Sequence, residues 1–212
     1  MTTAIIGTGN IGSRLAADLI EGGVDLLLAG TDLAGTQALV AKLGERATAV
    51  TVDQAVDQAD VIIFAVWLDT TKQLLAEYGD QLSGKILVDP SNPIAPAGDG
   101  GFVKTIPADQ SAGQILAALV PANAKLVKAF GTLSAESLGS ASRRTPELAV
   151  GFYAADDEAA GKTVAELITA AGFDPVPVGG LDQSIRIEVF GDLHEFGALG
   201  KVVGRTAALA AL

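Results

Sequence analysis

The chain has 212 residues, 49% of them hydrophobic, with a mean hydropathy of +0.40, enough for one large domain or two small ones around a sizeable core. Its net charge of −11 argues against a nucleic-acid surface, which needs clustered Lys and Arg. The absence of cysteine excludes disulfides, thiolate metal sites, Fe–S clusters and a cysteine nucleophile.

Thr3–Ile6 reads as a first strand that runs straight into a glycine turn, with no cationic leader, so a cytoplasmic protein is expected. Leu15, Ala16, Leu19 and Ile20 have helical spacing, and Gly22-Gly23 stops that helix. A strand over 24–29, a helix over 34–43 and a strand over 47–52 follow. Residues 61–66 are apolar throughout, as in a parallel strand covered on both faces. The longest uninterrupted apolar run, 61–68, falls far short of the ~20 residues that span a bilayer, so no membrane association is expected. A helix over 70–78 and a strand over 86–88 lead into a loop, 90–109, that is rich in proline and has no helical period. Beyond it lie a helix over 110–119, strand 125–129, a short helix near 134–139, strand 148–154, helix 157–171 and strand 174–178. From about Asp182 to the end the pattern is helical. Such alternation predicts an α/β fold of Rossmann type, a doubly wound and mainly parallel sheet over 1–180. A short all-helical segment, 181–212, is expected to pack on it as one compact unit.

The turn Gly7-Thr8-Gly9-Asn10-Ile11-Gly12 follows the first strand and opens the first helix, where a dinucleotide-binding βαβ unit begins. The first glycine permits the turn, the second lets main chain approach a pyrophosphate, and the third lets helix pack close to sheet. Main-chain amides at the helix start, aided by the helix dipole, then meet the phosphate charge. About 20 residues on, where a ribose is read, stand Thr31 and Asp32. An acidic side chain accepts from an adenosine ribose and repels a 2′-phosphate, and no Arg or Lys lies between Asp25 and Val40. NAD(H) is therefore favoured, with NADP(H) as the alternative, in which Asp32 instead caps the next helix.

Cofactor sites of such sheets lie off the carboxyl ends of the strands. Ala65, Val66 and Trp67 stand there, as do Ser91, Asn92 and Pro93, and Ala129, Phe130 and Gly131. Trp67 either covers cofactor or walls the core. No residue set reads as a metal site or a catalytic acid–base group. The single histidine, His194, lacks the second histidine of a zinc-binding H-E-x-x-H and reads as a packing or interface residue. Arg143 and Arg144 read as a solvated basic loop, or as an anchor for the anionic tail of a second cofactor. Arg186 and Glu188, two apart on a helix, do not share a face. Hydride transfer between two redox cofactors needs orientation and little acid–base machinery, which fits these absences.

The segments 5–12, 88–93 (Val-Asp-Pro-Ser-Asn-Pro), 126–132 (Leu-Val-Lys-Ala-Phe-Gly-Thr) and 172–175 (Gly-Phe-Asp-Pro) together resemble the coenzyme F-420-dependent NADP oxidoreductases. These are relatives of the cytosolic domain of the STEAP metalloreductases. The likeness covers roughly residues 3–180. It implies hydride exchange with a deazaflavin or flavin, commonly a homodimer, and cofactor contacts at Thr8, Asn10, Ile11, Thr31, Asn92 and Ala129. The second substrate would sit between 129–132 and the tail. Two positions depart from the family pattern. Asp32 and Leu33 stand where NADP-binding members carry Arg after Ser or Thr, and Gly131 stands where members often carry Asn or His. The expected activity is hydride transfer between NAD(P)H and a deazaflavin, flavin or small organic acceptor. Direct reduction of a small carbonyl, imine or quinone, in space opened at Gly131, is a second reading, and a non-catalytic dinucleotide sensor a third.

Overall fold

A computed structural model describes residues 1–98 and 101–212. Its centre is an eight-stranded sheet in the order β3-β2-β1-β4-β5-β8-β9-β10. The strands are β1 (Thr3–Ile6), β2 (Leu26–Ala29), β3 (Ala47–Ala49), β4 (Val61–Phe64), β5 (Ile86–Asp89), β8 (Lys125–Ala129), β9 (Val150–Ala155) and β10 (Asp174–Pro177). Six of them run parallel, and β9 pairs antiparallel with β8 while β10 runs parallel to β9. The strand order reverses between β1 and β4, where a doubly wound sheet opens its ligand crevice.

Helices cover both faces. One apolar layer holds Ile5, Val88 and Val127 against helices α1 (Asn10–Glu21), α6 (Ala135–Ala141) and α7 (Glu158–Ala170). The other holds Ala4, Phe64, Leu87 and Leu126 against α3 (Val52–Gln58), α4 (Leu68–Tyr78) and α5 (Ala112–Ala117). Every residue of β1 and β4 is buried, which explains why β4 reads as an unbroken apolar run. Helix α2 (Leu33–Leu43) follows β2.

Three elements differ from the sequence expectation. The third strand ends at Ala49, short of the expected residue 52, and helix α3 fills 52–58, where beyond residue 52 no element was expected. Thr51 and Gln54 form a reciprocal capping box that starts the helix. The proline-rich stretch holds a hairpin of β6 (Ile94–Pro96) and β7 (Phe102–Lys104), the strands pairing antiparallel, while 99–100 of the expected loop lie outside the described residues. The tail is not continuous helix. A 3-10 turn (Leu181–Gln183) and α8 (Ser184–Ile187) are followed by turns through 188–204, then by α9 (Arg205–Ala211). Ile187, Leu193, Val203 and Ala208 pack this tail on the outer faces of β9 and β10. Among the described residues no helix is long and apolar enough to cross a membrane.

Candidate functional site

The C-terminal ends of β1, β2, β4, β5 and β8 meet along one edge of the sheet, and nearly all the expected site residues gather there. At the end of β1, Gly7 adopts φ +103, and a Cβ on it would overlap the main chain of Ala65 at the end of β4. A Cβ on Gly12 would overlap the carbonyl oxygen of Gly7. Both glycines are therefore required by the backbone itself. Gly9 is different, because a Cβ there would meet nothing within 4 Å. It is exposed, it is the N-cap of α1, and no side chain caps that helix. The first-turn amides are left to an outside acceptor, with the positive end of the helix dipole behind them.

The tip of β2 is drawn against this turn. Thr8 Oγ1 lies 3.3 Å from Thr36 Oγ1, and Thr36 donates to the Asp32 carbonyl at 2.9 Å. Thr31 and Asp32 are exposed. Asp32 caps α2, its Oδ1 accepting from the Gly35 amide at 2.9 Å, so one carboxylate oxygen is committed within the protein. Ala65 and Val66 are half-buried against the turn, whereas Trp67 is 58% exposed at the N-cap of α4. Trp67 thus stands free of the core. With Leu68, Asp69, Asn92, Ile94, Ala95, Pro96 and Thr105 it lines a cleft of about 230 Å³.

The far end of the site is built differently. Asn92 donates to the Gly131 carbonyl at 2.8 Å and accepts from the Val189 amide at 2.7 Å. Its side chain therefore ties the β5 end, the β8 end and the tail together. Ser91 and Pro93 are buried. Ala129 is buried, and Phe130, at φ +63, turns its ring into the core beside α6. At these two positions only main chain is left for a ligand. Gly131 opens no space, because a Cβ there would sit 2.7 Å from the Pro90 carbonyl oxygen. The pocket enlargement expected there is absent, for Pro90 already occupies that side.

Several residues gained roles that sequence reasoning did not assign. Asp89 Oδ2 and Lys128 Nζ form a 2.6 Å ion pair, and Glu188 Oε1 lies 3.6 Å from the same ammonium. All three side chains are at most 2% exposed. Lys128 also donates to the Ser91 carbonyl, and Asp89 Oδ1 accepts from the Ser91 amide at 2.9 Å. Glu188 accepts from the amides of Ala112 and Gly113, each at 2.9 Å. Burial pushes the Glu188 carboxyl up, while the Lys128 charge and those two amides pull it back and Asp89 adds to the rise. A signal was available: Lys128 interrupts an apolar strand covered on both faces, where a charge demands a partner.

His194 lies in a turn rather than a helix, and it is buried beside Gly131. Its Nδ1 accepts from the Phe196 amide at 3.0 Å, and among the described residues its Nε2 has no hydrogen-bond partner. Burial lowers its pKa to about 4, with the Glu195 charge and the Gly131 main chain opposing. Ser91 Oγ and Thr132 Oγ1 are also buried without partners among the described residues. Arg143 is partly buried rather than free in solvent, and its hydrogen bonds run to helix ends. It donates to the Asp18 and Ala170 carbonyls near the C-termini of α1 and α7. Arg144 donates to the Glu147 carbonyl. Arg186 pairs with Asp192 at 2.8 Å, leaving Glu188 to Lys128. Among the described residues no group of His, Asp or Glu could hold a metal ion.

An uncapped helix opening at the switch point of a doubly wound sheet, behind a turn with glycine at 7, 9 and 12, is the arrangement by which Rossmann proteins bind dinucleotides. Comparison with known proteins takes this further. Residues 2–93 match the family model described as NADP oxidoreductase, coenzyme F420-dependent. The metalloreductase STEAP3 of Rattus norvegicus is 31% identical over 185 residues, 87% of this chain, and the chain spans 35% of that relative's length. A hypothetical protein from Sinorhizobium meliloti is 30% identical, with a TM-score of 0.84 over 97% of this chain and 96% of the other. A candidate F420-dependent NADP-reductase from Arthrobacter shares the fold at 23% identity, with a TM-score of 0.75 over 87% of both chains. Over residues 2–93 the chain thus matches the coenzyme F420-dependent NADP oxidoreductase model, and over most of its length it is similar to a STEAP metalloreductase.

Proposed function

We propose that this chain binds a nicotinamide dinucleotide across the β1–β4 crevice and passes a hydride between it and a deazaflavin, flavin or small organic acceptor. The observation that carries the reading is the open, uncapped Gly9 corner, flanked by two glycines that the backbone cannot replace. The dinucleotide supplies the redox chemistry, with two electrons and a proton leaving or entering as one hydride at the nicotinamide ring. The protein's part is to bind and orient. The α1 amides hold the diphosphate, Thr31 and Asp32 stand at the ribose, and the ends of β5 and β8 set the ring position. The cleft beside Trp67 and Asn92 is the space for an acceptor.

NAD(H) is the favoured dinucleotide in this reading. Asp32 stands exposed at the β2 tip with one oxygen capping α2, and no Lys or Arg lies between Asp25 and Val40 to receive a 2′-phosphate. Titration with NADH and NADPH by Trp67 fluorescence, followed by assays with deazaflavin, FMN, FAD and a panel of carbonyls, tests both points. Tight binding with no oxidation by any acceptor would instead make the chain a dinucleotide sensor. The same reading carries a homodimer, which sedimentation of the purified chain would test.

A further inference from the structure

Asp89 and Lys128 are register partners on adjacent parallel strands, at the last position of β5 and the next-to-last of β8. On the same face, one step back along each strand, stand Leu87 and Leu126, both buried in the apolar layer. A second apolar pair would have extended that layer. The chain instead places an ion pair there and closes it with Glu188 from the tail. Buried ion clusters contribute little cohesion beyond what well-packed apolar residues of similar volume supply, because desolvation offsets the attraction. What they do supply is geometry, since each charge is satisfied in one arrangement only.

That arrangement is a closed ring around the inner end of the site. Asp89 and Lys128 hold the Ser91 peptide by its amide and its carbonyl. The next residue, Asn92, reaches across to Gly131 and to Val189. Val189 adjoins Glu188, which returns to Lys128. We propose that Asp89, Lys128 and Glu188 are positioning residues that fix Asn92 and Gly131 relative to the tail, and through them the place of the nicotinamide ring. The inference rests on the dinucleotide reading above, yet it concerns a region away from the phosphate turn.

The test separates the two ends of the ligand. Wild-type protein is titrated with reduced dinucleotide and with ADP-ribose (2′-phosphorylated if NADPH is preferred), followed by quenching of Trp67 and by nicotinamide emission. The reduced dinucleotide should bind at least tenfold tighter than the truncated ligand, with its emission enhanced. In the triple variant Asp89→Leu, Lys128→Met, Glu188→Leu, which leaves no unpaired charge, ADP-ribose affinity should stay within twofold of wild type. The extra tenfold and the enhanced emission should both be lost. Glu188→Gln alone should lose at least threefold of the nicotinamide contribution, and it decides the matter if the triple variant does not fold. Unchanged nicotinamide contribution in folded variants, or a wild type that binds both ligands equally, overturns the positioning role. A wild type that binds neither ligand defeats the dinucleotide reading instead.

Discussion

At the Gly7–Gly12 turn the site is made of main chain, with glycines where a Cβ would collide and open space where a phosphate can approach. At the ends of β5 and β8 it is made of side chains, Asp89, Asn92, Lys128 and Glu188, that meet from distant parts of the sequence. Val189 and Asn92, hydrogen-bonded to each other, are 97 residues apart. A main-chain site tolerates almost any side chain pointing away from it and fails when a glycine is filled. A side-chain site has the opposite sensitivity, because removing one charged member strands the others in low dielectric.

The sharpest contrast should come from single substitutions on each side. Lys128→Met leaves Asp89 and Glu188 buried without their cation and should destabilise the fold by about 3–5 kcal/mol, read as a lowered midpoint in urea. An unfolding free energy within about 1 kcal/mol of wild type would mean that the ammonium is not holding that end together. Each region also carries one group that titrates oddly. His194, pushed down to about 4 by burial, leaves the unfolded chain binding a proton that the folded chain refuses between pH 6.5 and 4. Its burial therefore costs stability as pH falls through that window, by roughly 3 kcal/mol at the acid end. Asp18, on α1, runs the other way. Burial raises it to about 6, against the Ser142 hydrogen bond and the Arg143 charge and with Glu21 adding to the rise. The folded chain then binds the extra proton between pH 6 and 4, and stability grows on acidification. The two slopes oppose one another in the wild type. His194→Gln should unmask the gain and Asp18→Asn the loss, and parallel pH profiles for the two variants would refute the assignment.

On the main-chain side, Gly9→Val should weaken dinucleotide binding at least 100-fold, roughly 2.7 kcal/mol, with the fold retained because a Cβ there meets nothing within 4 Å. Retained affinity by calorimetry would remove the turn from the site. Smaller again, Asp32→Arg should move the NADPH-to-NADH affinity ratio about tenfold, or ~1.4 kcal/mol, and cost the fold about 1 kcal/mol through the lost α2 cap. An unchanged ratio would mean that Asp32 serves Gly35 alone.

Much of this molecule was legible before any coordinates. The sheet strands and the larger helices follow from apolar runs alternating with helical periods, and the glycine turn follows from local spacing in its βαβ context. Helix α3 was missed although the Thr51–Gln54 capping signal was present, because the apolar residues around it also suit a strand. The tail was read as helix from its period, whereas its chain from 188 to 204 is set by anchors elsewhere: Glu188 on Lys128, Val189 on Asn92, and Glu195 on Ser137 at 2.6 Å and on the Ser134 amide. Those partners carry no sequence period. Arg143 likewise looked like a surface cation until the ends of α1 and α7 converged on it.

By itself the sequence determined the layered α/β architecture and the main-chain half of the site, since both depend on what neighbouring residues can do within one turn or one strand. Only the tertiary structure decided that Asp89, Lys128 and Glu188 share one buried cluster, that Gly131 is closed off by Pro90, and that His194 lies neutral behind it. Such outcomes depend on which distant side chains share a low-dielectric space, and that space exists only once the sheet and the tail have packed.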